Sequence, residues 1–193
     1  MTRRQPEWLN TPNQLTMARF LFVPFAVIGV MEGHYAVSLG VFVLAGLTDM
    51  LDGFIARRFH QQSKLGEHLD PLADKLLLSS MFLTLSYARL IPWSYTILVF
   101  SRDLSILAVS AVLYNTTALR DFRPSLFGKA NTFAQVATVF FVLLYQIVNT
   151  NATAMARQCG LYATLTFTIL SGVHYVYLTG ERLSALPRKP GDK

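Results

Sequence analysis

Cysteine is nearly absent from the sequence. Cys159 stands alone, so no intrachain disulfide can form. The histidines, His34, His60, His68 and His174, are scattered and never reach the spacing of a zinc site. Charge is scarce as well: Asp, Glu, Lys and Arg make up 15% of the 193 residues, against 52% hydrophobic residues. The apolar residues fall into long blocks instead of short alternating runs, which excludes an ordinary soluble domain and points to a bilayer protein. No nucleic-acid module is present, so the formal charge of +6 is assigned to the anionic face of a membrane and not to DNA or RNA. There is no internal repeat and no low-complexity tract. The polar stretch Thr2 to Asn13 does not read as a cleavable signal peptide, so the first apolar run is expected to remain in the mature protein.

A membrane span needs about 20 mostly apolar residues. Six segments qualify: Leu15 to Met31, Tyr35 to Ala56, Pro71 to Tyr87, Ser94 to Tyr114, Asn131 to Val148 and Cys159 to Thr179. The expected fold is therefore all-α and polytopic, with six transmembrane helices in one catalytic domain over 15–179. A cytoplasmic or interfacial segment at 1–14, carrying Trp8, precedes it, and a basic cytoplasmic tail at 180–193 follows. With both termini cytoplasmic, the basic residues obey the positive-inside rule; only Arg89 and Arg157 fall outside, while Lys75 and Arg102 lie within spans. Residues Thr117 to Lys129 read as a polar connection, broken by Pro124 and Gly128.

An Asp in hydrocarbon costs about 2.5 to 3.5 kcal/mol on an insertion scale, so each one retained asks for a reason. Asp49 and Asp52 stand three residues apart near the cytoplasmic end of the second span; Asp70 and Asp74 stand four apart and open the third. Each spacing puts a pair on one helical face. A short connection from Arg57 to Leu69 is expected to bring the two pairs to one membrane depth. Carboxylates that close repel one another unless cations intervene, and carboxylate oxygens suit hard cations such as Mg²⁺ or Mn²⁺, with room for two ions sharing bridging groups. Gly53 and Ala56 lie on the face of the first pair, Arg57 follows, and Gly66 precedes the second pair. Small residues let a ligand approach the helix and an arginine forks onto phosphate oxygens, so a diphosphate with an apolar tail fits the pattern. The acids cluster at helix ends. A small transporter or channel would instead show broken helices or repeats at mid-membrane. A non-catalytic membrane subunit is the other competing class, and it would keep its role after Asp74→Asn.

The pattern D-x-x-D-G-x-x-A-R, eight residues, then G-x-x-x-D-x-x-x-D, formed by Asp49, Asp52, Gly53, Ala56, Arg57, Gly66, Asp70 and Asp74, resembles the signature of the CDP-alcohol phosphatidyltransferases at every fixed position. The resemblance extends through Pro12-Asn13-Gln14-Leu15-Thr16 with Arg19, Ser101-Arg102-Asp103, and Gly128-Lys129-Ala130-Asn131-Thr132 with Gln135. These segments are similar to the branch of phosphatidylglycerophosphate synthases and CMP-forming cardiolipin synthases. The resemblance implies that Asp49, Asp52, Asp70 and Asp74 bind a metal pair, with Asp70 bridging both ions and Asp74 also acting as general base. It implies that Asp52, Gly53, Ala56, Arg57 and Gly66 face the CDP group of CDP-diacylglycerol, and that the protein forms a homodimer. Arg102, Arg123 and Lys129 are the candidates for an acceptor phosphate. The acceptor expected is a glycerol-type alcohol. Arg102-Asp103 and Lys129-Ala130-Asn131-Thr132 depart from the Arg-Glu and Lys-x-Lys-Thr typical of phosphatidylglycerophosphate synthases. Phosphatidylglycerol is therefore favoured, with glycerol 3-phosphate as the alternative.

Overall fold

The computed structural model describes residues 11–59, 64–116 and 126–184, with side chains described at 20–48, 50–51, 75–108, 126–177 and 180. Six α-helices make up these residues: α1 (Thr11–Met31), α2 (Tyr35–Phe59), α3 (Lys64–Tyr87), α4 (Trp93–Thr116), α5 (Leu126–Ile147) and α6 (Asn151–Ser184). Among the described residues, two stretches are long and apolar enough to cross a membrane, Leu126–Ile147 and Asn151–Tyr177, and shorter apolar helical stretches run Phe20–Met31 and Tyr35–Thr48.

The core follows helical periodicity. Val23, Ala26 and Val30 bury one face of α1, and Phe42 and Ala45 answer from α2. α3 supplies Leu77, Leu78, Met81, Phe82 and Leu85, and α5 supplies Val139, Val142 and Leu143, so α3 and α5 run through the middle of the bundle. Outside this core, large apolar side chains face outward on every helix, among them Phe25, Leu44, Leu83, Leu107, Phe133 and Val176. The α1–α2 hairpin is tight because Gly33, at φ 76°, adopts the left-handed turn conformation that side chains rarely take. One turn back, Gly29 lets the α2 backbone close in: a Cβ there would stand 3.1 Å from Ser38 N. Ser38 Oγ then donates to Ala26 O at 2.8 Å, tying the two helices together.

Helix boundaries differ from the sequence expectation where polar residues continue an apolar helix. α2 runs to Phe59 and α3 starts at Lys64, so the connection expected over Arg57 to Leu69 is mostly helix, and Asp70 is the seventh residue of α3, not its first. Gly128 and Lys129, expected in a loop, belong to the first turns of α5, and α6 begins eight residues before Cys159. Helices need not stop where hydropathy does, since polar residues there still satisfy the backbone ladder.

Candidate functional site

The two acidic pairs sit at matched depths. Asp52 and Asp49 lie seven and ten residues before the end of α2, and Asp70 and Asp74 lie six and ten residues after the start of α3. At 1.5 Å per residue, the outer members are about 10 Å and the inner members about 15 Å from the helix ends that 60–63 connect. Gly53, Ala56 and Arg57 continue α2 toward that end, and Gly66 occupies the first turn of α3. α1 and α5 each pack against both α2 and α3, which holds the two acid-bearing helices in one unit. The i,i+3 and i,i+4 spacings place each pair on one side of its own helix, and carboxylates are the donor type that hard divalent cations take. The side chains of Asp49, Asp52, Ala56, Arg57, Asp70 and Asp74 lie outside the described residues, as does Arg123 altogether.

The first described side chain after Asp74 is Lys75, and it leads into a charged chain across three helices. Lys75 Nζ lies 2.6 Å from Asp103 Oδ2 on α4. Asp103 Oδ1 accepts from Arg102 Nη1 at 2.7 Å, and Arg102 Nη2 donates to Ser171 Oγ on α6. The Arg102 side chain is only 12% exposed, and its Nε is buried without a partner. A desolvated guanidinium is tolerated here because Asp103 neutralises it, while the spare N–H keeps capacity for another acceptor. Arg102 also lines a groove of about 920 Å³ between α4 and α6, together with Leu98, Ser101, Ile106, Ile169 and Val176. Apart from the charged head and a few hydroxyls, that groove is apolar. Lys129, by contrast, is exposed in the first turns of α5.

A seam of polar side chains is absent from the sequence expectations. Asn131, Gln135 and Thr138 on α5 and Thr164, Thr168 and Ser171 on α6 are all buried. Thr168 Oγ1 donates to Asn131 Oδ1 at 2.8 Å, and the Thr138 and Thr164 hydroxyls meet at 2.8 Å. Gly160 permits the approach, since a Cβ there would lie 3.1 Å from Thr138 Oγ1. Both helices repeat polar residues at i, i+4 and i+7 within apolar surroundings, and that spacing is the signal from which a helix–helix seam is readable.

Comparison with known proteins bears on the family of the chain. The profile of the family described as CDP-alcohol phosphatidyltransferase matches residues 9–170. The chain is 37% identical to the CMP-forming cardiolipin synthase of Rattus norvegicus, over 89% of this chain and 61% of that protein. It is 36% identical to the Homo sapiens protein of the same name, over 89% and 62% respectively. The CDP-diacylglycerol–glycerol-3-phosphate 3-phosphatidyltransferase of Bacillus subtilis is 30% identical, over 90% of this chain and 97% of that protein. The chain thus spans about three fifths of the length of the two mammalian relatives and nearly all of the bacterial one. With its acidic motif complete and the match covering most of its length, the chain belongs to the CDP-alcohol phosphatidyltransferase family, whose members generally use divalent metal ions.

Proposed function

We propose that the protein is a six-span membrane enzyme of phospholipid biosynthesis that transfers the phosphatidyl group of CDP-diacylglycerol to a glycerol-type alcohol and releases CMP. The observation that carries this reading is the pair of acid pairs at matched depth on α2 and α3. Family membership and the outward-facing apolar side chains on all six helices support it further. Asp49, Asp52, Asp70 and Asp74 would hold two Mg²⁺ or Mn²⁺ ions, with Asp70 shared between them. Bound there, the ions supply charge neutralisation for the diphosphate and for the departing CMP. Arg57 forks onto the same phosphate oxygens, and Gly53, Ala56 and Gly66 leave room for the CDP group beside Asp52. Asp74 accepts the proton of the acceptor hydroxyl as its oxygen attacks the lipid-side phosphorus. The new P–O bond forms as the bond to CMP breaks, and CMP leaves with the electron pair.

Phosphatidylglycerol is the acceptor we favour. Arg102 lines a groove that is otherwise largely apolar, so it offers a cation for a phosphate and a surface for acyl chains; glycerol 3-phosphate would use only the first. Arg123 and Lys129 are further candidates for the acceptor phosphate. The active site and both termini are assigned to the cytoplasmic side by the positive-inside rule, in a bacterial inner membrane or the equivalent side of an organelle membrane. The enzyme domain is assigned to 15–179, and the protein is expected to act as a homodimer. The decisive experiment is CMP release by purified protein from CDP-diacylglycerol with Mg²⁺ or Mn²⁺, offering phosphatidylglycerol and glycerol 3-phosphate separately. Metal-dependent release with phosphatidylglycerol alone supports the favoured acceptor. Release with glycerol 3-phosphate alone replaces it, and no release from folded protein with either refutes the proposed reaction.

A further inference from the structure

Arg89 and Arg157, the two cations that break the positive-inside pattern, meet at one place. Both line a pocket of about 530 Å³ at the α3–α4 turn, together with Ser86 and Trp93. Arg89 belongs to the turn itself and Arg157 to the second turn of α6. This end of the bundle is remote from the acidic motif: Asp74 and Tyr87 are separated by thirteen residues of continuous α3, about 20 Å.

Three features give the pocket a positive potential. Among the described residues neither arginine has a carboxylate partner, so two like charges face one cavity unneutralised. The Arg157 Nε is buried without a hydrogen-bond partner, while its guanidinium carbon stands 5.1 Å from the centre of the Tyr145 ring, which fixes the head without neutralising it. The rest of the pocket lining, Ser86, Leu90, Ile91, Pro92 and Trp93, carries no negative charge. Arg89 occupies the turn at φ 59°, a conformation that glycine would take without strain. The cation thus stands where the backbone alone favours glycine.

The geometry points to a second anion site, formed by Arg89 and Arg157 at the end of the bundle opposite the acidic motif, that binds a phosphate group, either in an anionic phospholipid headgroup or as free phosphate. Two guanidinium groups supply forked donors to phosphate oxygens, and the Trp93 ring, half exposed beside them, suits the headgroup layer. The site is independent of the phosphatidyl-transfer reading, since it shares no residue with the acidic motif.

Trp93 is one of only two tryptophans, the other being Trp8, so Trp8→Phe leaves a single reporter at the pocket. The test is titration of this protein in maltoside micelles, with CDP present at saturation, using dihexanoyl phosphatidylglycerol in one arm and inorganic phosphate in the other. A saturable change in Trp93 emission is expected, with a midpoint raised about tenfold or more by Arg89→Gln and by Arg157→Gln, as for loss of a charge-assisted contact. Arg157→Lys, which keeps the charge and spares the fold, should raise it less. Response to the lipid alone assigns the headgroup, and equal response to inorganic phosphate assigns the free ion. Absence of any saturable response, or a midpoint unchanged by Arg89→Gln and Arg157→Gln in folded protein, overturns the site.

Discussion

Lys75 and Asp103 form an ion pair at 2.6 Å that joins α3 to α4 one residue beyond the innermost acid of the motif. Asp103 is the shared anion of this contact and of the Arg102 contact, and it is only 18% exposed. Removing its charge leaves two cations facing each other. Asp103→Asn should therefore lower stability by about 2 kcal/mol, read as a fall in thermal midpoint in detergent, whereas Lys75→Met should cost less because Asp103 keeps Arg102.

If Asp74 is the base, Asp74→Asn should fold, with a metal-free thermal midpoint no lower than wild type because one of four like charges is gone, and lose CMP release by about 10²- to 10⁴-fold. Asp103→Asn would show the reverse emphasis, with stability falling first. Comparing the two separates a group at the reacting atoms from one that holds helices together.

Removal of divalent metal by a chelator should abolish CMP release, and Mg²⁺ or Mn²⁺ should restore it. Metal should also raise the thermal midpoint of the wild-type protein, because ions that bind the folded acids stabilise them by mass action. Asp70→Asn, at the position proposed to be shared by the ions, should lose most of that rise; a full metal-induced shift in this variant would remove Asp70 from the proposed ligand set.

Gly29 and Gly40 should respond to alanine with opposite signs. At Gly29 a Cβ meets Ser38 Cβ at 3.0 Å and Ser38 N at 3.1 Å, and the backbone atom cannot swing aside, so α1 and α2 must separate at a cost of about 1 to 3 kcal/mol. At Gly40 a Cβ meets nothing within 4 Å. There, Gly→Ala should stabilise α2 by about 0.5 to 1 kcal/mol, since alanine loses less backbone entropy in a helix. Thermal unfolding of both variants gives the comparison.

The hydroxyl pair of Thr138 and Thr164 offers a measure of the α5–α6 seam. Thr138 Oγ1 also lies 2.8 Å from Ala134 O within its own helix, so losing Thr164 does not orphan it. A double-mutant cycle of Thr138→Val and Thr164→Val should give a coupling of about 0.6 kcal/mol.

Much of the fold and of the acidic motif is legible in the amino-acid sequence. Six helices are visible because the apolar residues fall into six long blocks, and the motif stands out because Asp49, Asp52, Asp70 and Asp74 stand at helical spacing within or beside two of those blocks. Helix ends are not legible: α3 begins with Lys64, Glu67 and His68, which hydropathy assigns to a loop although they extend the backbone ladder. The partners of Arg102 are half legible. Asp103 is its chain neighbour, but Ser171 lies 69 residues away and Lys75 enters through Asp103, so those contacts exist only through packing. The meeting of Arg89 with Arg157 is of the same kind, since it depends on the α3–α4 turn reaching the start of α6.

The lengths of the last two helices have a mechanical consequence. Phe127, the second residue of α5, rests against His174 with ring centres 5.0 Å apart, and α6 continues ten residues beyond that contact to Ser184. It therefore overshoots α5 by about 15 Å, on the end of the bundle where α2 finishes and α3 begins. α4 keeps pace with α6, running fourteen residues beyond Arg102 while α6 runs thirteen beyond Ser171, so among the described residues the α4–α6 flank stands higher than α5. A visitor coming in over the α4–α6 flank therefore meets a parapet that one coming in over α5 does not, and the two approaches are unequal by construction.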